Sequence, residues 1–301
     1  MKTLIVLTGP TGVGKSAVAL ELASRLGTEI ISADSRQVYA GIPIITAAPG
    51  PEDLARVPHH FVGTLPVDAY FSAAEFERQA LEVLEELFEK HDVVVVCGGS
   101  MLYVDALCHG IDELPTISPE VRARVAEMTQ REGAEGMLRH LRELDPDYAE
   151  KVDPANLKRI SHAVEICLQS GQTYTSLRTG SKRERPFRIQ KYCLTAPREV
   201  LFDRINSRVL RMIEAGAMDE VRQMYPLRHL NALNTVGFKE LFEVVAGRWE
   251  LDFAVARLQK NTRVYAKKQL TWYARDPQIE LIDTTDFAAP ADLAEYLQSR
   301  L

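Results

Sequence analysis

The sequence predicts an α/β protein: a parallel sheet flanked by helices and interrupted by an α-helical insertion domain. Three observations carry that prediction. Short apolar runs at 4–7 and 93–96 have the composition of strands buried on both faces. Each passes straight into a glycine-containing turn followed by a helical pattern or a further loop, the order of a β-α-β unit. From about Pro115 the strand signal stops and only helical periodicity remains until Ser170. The boundaries follow as a first core segment at 1–114, an insertion at 115–185, and a second core segment with a basic C-terminal helix at 186–301.

Each element has a local reason. After residues 4–7 comes the run Thr8 to Ser16, then a helix with Val18, Leu22 and Leu26 at steps of four and Gly27 as its stop. Residues 29–32 read as the second strand, and 40–70 as loop, rich in Pro and Gly. Ser72 with Glu75 predicts a capping box, and the helix it opens carries Phe76, Ala80, Leu84 and Leu87 on one face. The valine run 93–96 is a central strand and leads into Gly98-Gly99-Ser100. Pro119 opens the insertion, whose helical segments cover 120–143 and 155–170, the second closed by Gly171. Strand character returns at 188–194, long amphipathic stretches cover 198–224 and 252–274, and a last strand lies at 278–282.

Composition excludes several classes. With 46% hydrophobic and 26% charged residues the chain is an ordinary globular one, which rules out disorder as its main state. No apolar run approaches the roughly 20 residues that span a bilayer, so no membrane partner is expected. The N-terminal apolar run enters a glycine loop with no small-residue cleavage site and reads as a strand, not a signal peptide. Cys97, Cys108, Cys167 and Cys193 form no C-x-x-C pair, which argues against a disulfide scaffold or a cysteine zinc site and for a reducing cytoplasm. Net charge is −6, but residues 1–150 hold 12 Lys+Arg against 24 Asp+Glu, and residues 151–301 hold 24 against 18. A basic second half permits a polyanionic partner; uneven surface charge would look the same.

The chemistry is concentrated in Gly9-Pro10-Thr11-Gly12-Val13-Gly14-Lys15-Ser16, which satisfies G-x-x-x-x-G-K-[ST] between a strand and a helix. Glycines let backbone N–H groups turn inward around phosphate oxygens, and the helix adds its positive end. Lys15 supplies a point charge and Ser16 a hydroxyl for Mg²⁺. The fold expected is therefore P-loop NTPase-like. Hydrolytic relatives carry an Asp after a hydrophobic strand; here 93–96 ends in Cys97-Gly98-Gly99-Ser100, and the acidic residue is Asp34 after the second strand. Strand carboxyl ends are where ligands bind in such sheets, so Asp34 and Ser100 should face the crevice, with Asp34 a candidate general base. An Asx-type turn or cap is the alternative, less favoured reading of an aspartate there.

Taken together the motifs resemble the tRNA dimethylallyltransferase family. The matching stretches are the phosphate loop, Ser32-Ala33-Asp34-Ser35-Arg36-Gln37-Val38-Tyr39, Gly98-Gly99-Ser100-Met101-Leu102-Tyr103, Thr235-Val236-Gly237-Phe238-Lys239-Glu240 and Lys267-Lys268-Gln269-Leu270-Thr271-Trp272, spread over nearly the whole chain. The resemblance implies transfer of a dimethylallyl group from dimethylallyl diphosphate to N6 of adenosine 37 in the tRNA anticodon stem-loop, with Mg²⁺, by a monomer. It implies that residues 9–16 and Arg208 bind the diphosphate, that Asp34, Ser100 and Lys15 are catalytic, and that Ser16 meets the metal. It further implies tRNA contacts from Asp34, Ser35, Arg36, Gln37, Ser100, Arg122, Lys158, Arg159, His162 and Lys267. The sequence departs from the family in places. Ser100 stands where Thr is usual, Ile45 and Ala48 replace a Gly and a Lys, and His162 replaces an Arg, which makes that contact pH-dependent.

Lys260, Arg263, Lys267 and Lys268 fall on one helical face and, with Arg275 and the basic run 178–191, form either a track for an RNA backbone or a solvated surface. Tyr265 and Trp272 are expected in the core, His59-His60 on a loop surface, and Tyr103 either beside the prenyl group or in the core. Three other functions fit parts of the pattern: an isopentenyltransferase acting on free adenine nucleotides, a P-loop kinase of small molecules, and a nucleotide-dependent RNA-binding module.

Overall fold

The structure is a computed structural model that describes residues 1–180 and 182–301. It divides into two compact units, Met1–His109 with Glu184–Leu301, and Gly110–Arg183.

The larger unit is built on a six-stranded, all-parallel sheet in the order β3-β2-β4-β1-β5-β6. The strands are β1 (Thr3–Thr8), β2 (Ile30–Ser32), β3 (His59–His60), β4 (Val93–Cys97), β5 (Arg188–Thr195) and β6 (Ile279–Asp283). Alternation along β1 explains why its sequence is continuously apolar. Leu4 and Val6 enter the core on one face of the sheet, while Ile5 and Leu7 enter the core on the other. Helix Lys15–Leu26 buries Val18, Ala19, Leu22 and Ala23, and Gly27 ends it in a left-handed turn. Helix Ala73–Lys90 buries Phe76, Ala80, Leu84 and Leu87, as the periodicity predicts.

Four local readings need correction. Residues 40–70 are not all loop: helices Pro43–Thr46 and Pro51–Arg56 and the short β3 lie there, so His59 and His60 belong to a strand. Only half of the capping box at Ser72 forms. Ser72 Oγ accepts from Glu75 N–H at 3.1 Å, but the Glu75 carboxylate bonds Arg78 and Gln79 instead. The stretch 198–224 is two helices, Arg198–Glu214 and Ala217–Met224, parted where Gly216 takes φ 95°. And two cations of the basic run 178–191 are internal, while Arg178, Lys182, Arg183 and Arg188 are exposed: Arg185 pairs with Glu77 at 2.6 Å with both side chains buried, and the buried Lys191 pairs with Asp276.

The smaller unit is helical, as expected, with a core of its own around Val125, Met137, Leu141, Ile160, Val164 and Cys167. Its long helix Pro119–Leu144 is interrupted at Gly133 (φ 64°, ψ −165°). The buried Asp145 carboxylate accepts from Tyr148 N–H, Thr175 N–H and Thr175 Oγ1, which ties two short helices together. All four cysteines are buried and unpaired. Among the described residues no helix is long and apolar enough to cross a membrane.

Candidate functional site

The carboxyl ends of β1, β2 and β4 open onto a cleft of about 450 Å³ in the larger unit. Its floor is the loop between β1 and helix Lys15–Leu26. Gly14 caps that helix at φ 106°, a conformation that favours glycine. Lys15 Nζ donates to Pro10 O at 2.8 Å, which bends the side chain back over the loop. From helix Arg198–Glu214, Arg208 Nη1 donates to Thr11 Oγ1 at 3.3 Å, and Arg204 Nη1 braces Val13 O at 3.1 Å. Burial lowers the proton affinity of Lys15, and the Arg208 charge lowers it further, while Cys97 and Asp34 oppose the shift. Burial also lowers that of Arg208, with Asp34 again opposing. Two cations share one desolvated space. The cleft is lined by Lys15, Arg36, Arg208 and Lys239, and Asp34 is its only carboxylate among the described residues. That balance of charge suits an anion.

Asp34 follows β2. Its Oδ1 accepts from Arg36 N–H at 2.9 Å and Gln37 N–H at 3.3 Å, the Asx-type turn. The turn and the cleft are therefore not alternatives: Oδ1 fixes the carboxylate, and Oδ2 is the oxygen left for a ligand. Gly98 admits the close packing behind it, since a Cβ there would lie 2.1 Å from Ala33 O. Ser100 meets Ser35, not Asp34: its Oγ accepts from Ser35 N–H at 2.8 Å and donates to Ser35 Oγ at 3.1 Å. Arg36 is anchored on Asn231 O and Ala232 O, and Gln37 on Ser32 Oγ, Thr46 O and Ala47 O. Cys97 lines the cleft, but burial pushes its thiol up to about 11, so it is no thiolate nucleophile near neutrality.

A metal would find no ready cage, because among the described residues no group of three His, Cys, Asp or Glu could hold one. Ser16, exposed on the first turn of its helix and lining the cleft, offers a single hydroxyl. That donor set fits Mg²⁺, which keeps several waters and shares substrate phosphate oxygens.

The structure thus brings the phosphate loop, Asp34, Ser35, Arg36, Gln37, Ser100 and Arg208 to one cleft. Lys267 is exposed on helix Leu251–Tyr273. Arg263 of the same face is engaged with Asn206 Oδ1 at 2.5 Å and the Phe202 ring, so it drops out of the basic track. Arg122, Lys158, Arg159 and His162 are exposed on the two long helices of the smaller unit. Trp272 is half-buried and donates Nε1–H to Asp105, and Tyr103 stacks on Phe76 in the core. Tyr265, expected in the core, lines the cleft instead, as do Lys239 and Gln269, to which the residues alone assign no role. The signal available for Gln269 was a polar residue on the apolar side of an amphipathic helix, in line with Ala266 and Tyr273.

A model of the IPP transferase family matches residues 37–276. The chain is 55% identical over 298 residues to tRNA dimethylallyltransferase 1 of Bacteroides thetaiotaomicron, covering 99% of this chain and 96% of that one. It is 52% identical to tRNA dimethylallyltransferase 1 of Bacteroides fragilis, covering 100% and 99%. Among solved structures, the tRNA isopentenylpyrophosphate transferase of Bacillus halodurans superposes with a TM-score of 0.72 at 31% identity, over 100% of this chain and 97% of that one. A eukaryotic dimethylallyltransferase acting on tRNA superposes with a TM-score of 0.77 at 25% identity, over 98% and 76%.

Proposed function

The chain belongs to the IPP transferase family, and we propose that it is a tRNA dimethylallyltransferase that prenylates N6 of adenosine 37, reading the anticodon stem-loop as a monomer. The observation that carries this reading is one carboxylate, Asp34, in a cleft whose lysines and arginines are Lys15, Arg36, Arg208 and Lys239 and whose floor is a phosphate loop. That arrangement suits a reaction with an anionic leaving group and a neutral nucleophile that must lose a proton.

Residues 9–16 with Arg208 hold the diphosphate, and Lys15 neutralises the charge that builds on it. Ser16 would hold Mg²⁺, whose charge would add to that neutralisation when bound. The adenine N6 attacks the allylic carbon; the N–C bond forms as the C–O bond to the diphosphate breaks, and the electron pair leaves with the diphosphate. Asp34 Oδ2 accepts the N6 proton, while the bonds to Oδ1 keep the carboxylate aimed. Ser35, Arg36, Gln37 and Ser100 shape the seat of the base, which must be splayed out of its loop to enter. Arg122, Lys158, Arg159, His162 and Lys267 meet the tRNA backbone.

The test is transfer of labelled prenyl group to an anticodon stem-loop RNA with adenosine at position 37, with AMP as a parallel acceptor. Label goes to the RNA, and Asp34→Ala lowers the rate by about a hundredfold or more. Label on AMP alone would assign the protein to free nucleotides. ATP consumption without transfer would make it a kinase.

A further inference from the structure

We infer that Gln269 is a positioning residue that sets the spacing between the phosphate loop and the loop carrying the Asp34 turn. The inference rests on the transfer reading above and deepens it.

The Gln269 side chain is buried at 2% exposure in a helix far along the chain from both loops. Its Oε1 accepts from Thr11 N–H at 2.9 Å, and its Nε2 donates to Gly99 O at 2.8 Å. A carboxamide is the side chain that can accept at one end and donate at the other in a single plane. Each partner leads directly to chemistry. Thr11 belongs to the phosphate loop, and its Oγ1 accepts from Arg208. Gly99 precedes Ser100, whose N–H donates to Ala33 O and whose Oγ accepts from Ser35 N–H, so the two neighbours of Asp34 are both held. The path Arg208–Thr11–Gln269–Gly99–Ser100–Ser35 therefore joins the residues assigned to the leaving group to those flanking the residue assigned to the proton. Gly99 has no side chain to spare: a Cβ there would lie 2.4 Å from Gln269 Nε2. In-line displacement needs the diphosphate, the allylic carbon and the amine at fixed separations, and a misplacement of about 1 Å can cost about a hundredfold. Both bonds of Gln269 go to backbone, so it acts through these loops.

The test compares Gln269→Met, which keeps the length and removes both bonds, with Gln269→Glu and Gly99→Ala in the full chain. Three quantities are read: kcat and KM for transfer to the stem-loop RNA, the Kd of inorganic pyrophosphate, and the melting temperature. Gln269→Met and Gly99→Ala should each lower kcat by about a hundredfold while remaining folded and binding pyrophosphate nearly as the wild type does. Gln269→Glu keeps the acceptor for Thr11 but opposes Gly99 O with a second oxygen. Its activity relative to wild type should rise as pH falls, because the protonated carboxyl can donate to Gly99 O. Unchanged kcat in Gln269→Met overturns the inference. So does a pyrophosphate Kd weakened as much as kcat, which would make Gln269 only a brace of the phosphate loop. So does a folded Gln269→Glu whose activity relative to wild type ignores pH while Gln269→Met fails to fold. A wild type that transfers no label to RNA removes the transfer reading and the inference together; an active wild type with an equally active Gln269→Met removes the inference alone.

Discussion

Lys15 is charged where charge is least welcome. It is desolvated, it shares the cleft with Arg208, and both effects lower its pKa below 10.5. The sign of the consequence follows. A base whose folded pKa lies below its unfolded value destabilises the fold while protonated, over all pH below the folded pKa. That penalty fades as pH rises through the folded pKa towards 10.5. Lys15→Met should therefore melt higher than wild type at pH 7, and the gap should narrow as pH approaches 10. Pro10 O keeps the Val13 N–H at 3.4 Å, so the variant does not orphan that carbonyl. Pyrophosphate reverses the order: at a hundred times its Kd it stabilises wild type by about 2.7 kcal/mol, and the variant, which binds it weakly, gains much less. Thermal melts with and without pyrophosphate at the two pH values decide it. A variant that melts lower than wild type at pH 7 without ligand would show that Lys15 supports the fold instead of straining it.

Legibility changes at the scale of elements. Strands β1 and β4 were readable because burial on both faces leaves an uninterrupted apolar run, and the phosphate loop because its chemistry is local in sequence. What escaped depends on partners far along the chain. Helix Pro43–Thr46 has four residues and would not hold by itself. The buried Glu220 holds it, accepting from Ile44 N–H at 2.8 Å and Ile45 N–H at 2.9 Å. No local pattern in 40–70 announces a carboxylate some 175 residues away. The same holds for Gln269, 258 residues from Thr11, and for the capping box, whose glutamate had better partners in Arg78 and Gln79. Glu220→Ala tests the first case. It leaves two N–H groups without their acceptor, at about 1–3 kcal/mol each where water cannot replace it. Hydrogen exchange should speed up at 43–47, and pyrophosphate affinity should hold because the phosphate loop is untouched. Uniform acceleration over the whole sheet would instead make Glu220 a general core residue.

A molecule of net charge −6 that binds a polyanion must separate its working cations from its structural ones. The basic second half looked uniform in sequence, yet its cations have different duties. Arg185, at 7% side-chain exposure against 5% for Glu77, also donates to Ala106 O and Leu107 O at the end of helix Met101–His109. Lys267 and Lys268 stand exposed on helix Leu251–Tyr273. If the exposed lysines meet RNA phosphates, each releases counterions on binding, and each contributes about 0.7–0.9 to the slope of log K against log salt. Lys267→Ala with Lys268→Ala should flatten that slope by up to about 1.8 and leave the melting temperature unmoved. Arg185→Met should do the opposite, costing about 3–5 kcal/mol of stability by breaking its buried ion pair with Glu77, with the salt slope of the folded protein unchanged. Binding of the stem-loop RNA at several salt concentrations, beside denaturant melts of the same variants, separates the two duties. A flattened slope in Arg185→Met, or an unchanged one in the double lysine variant, would place the RNA-facing charge elsewhere than on that helix.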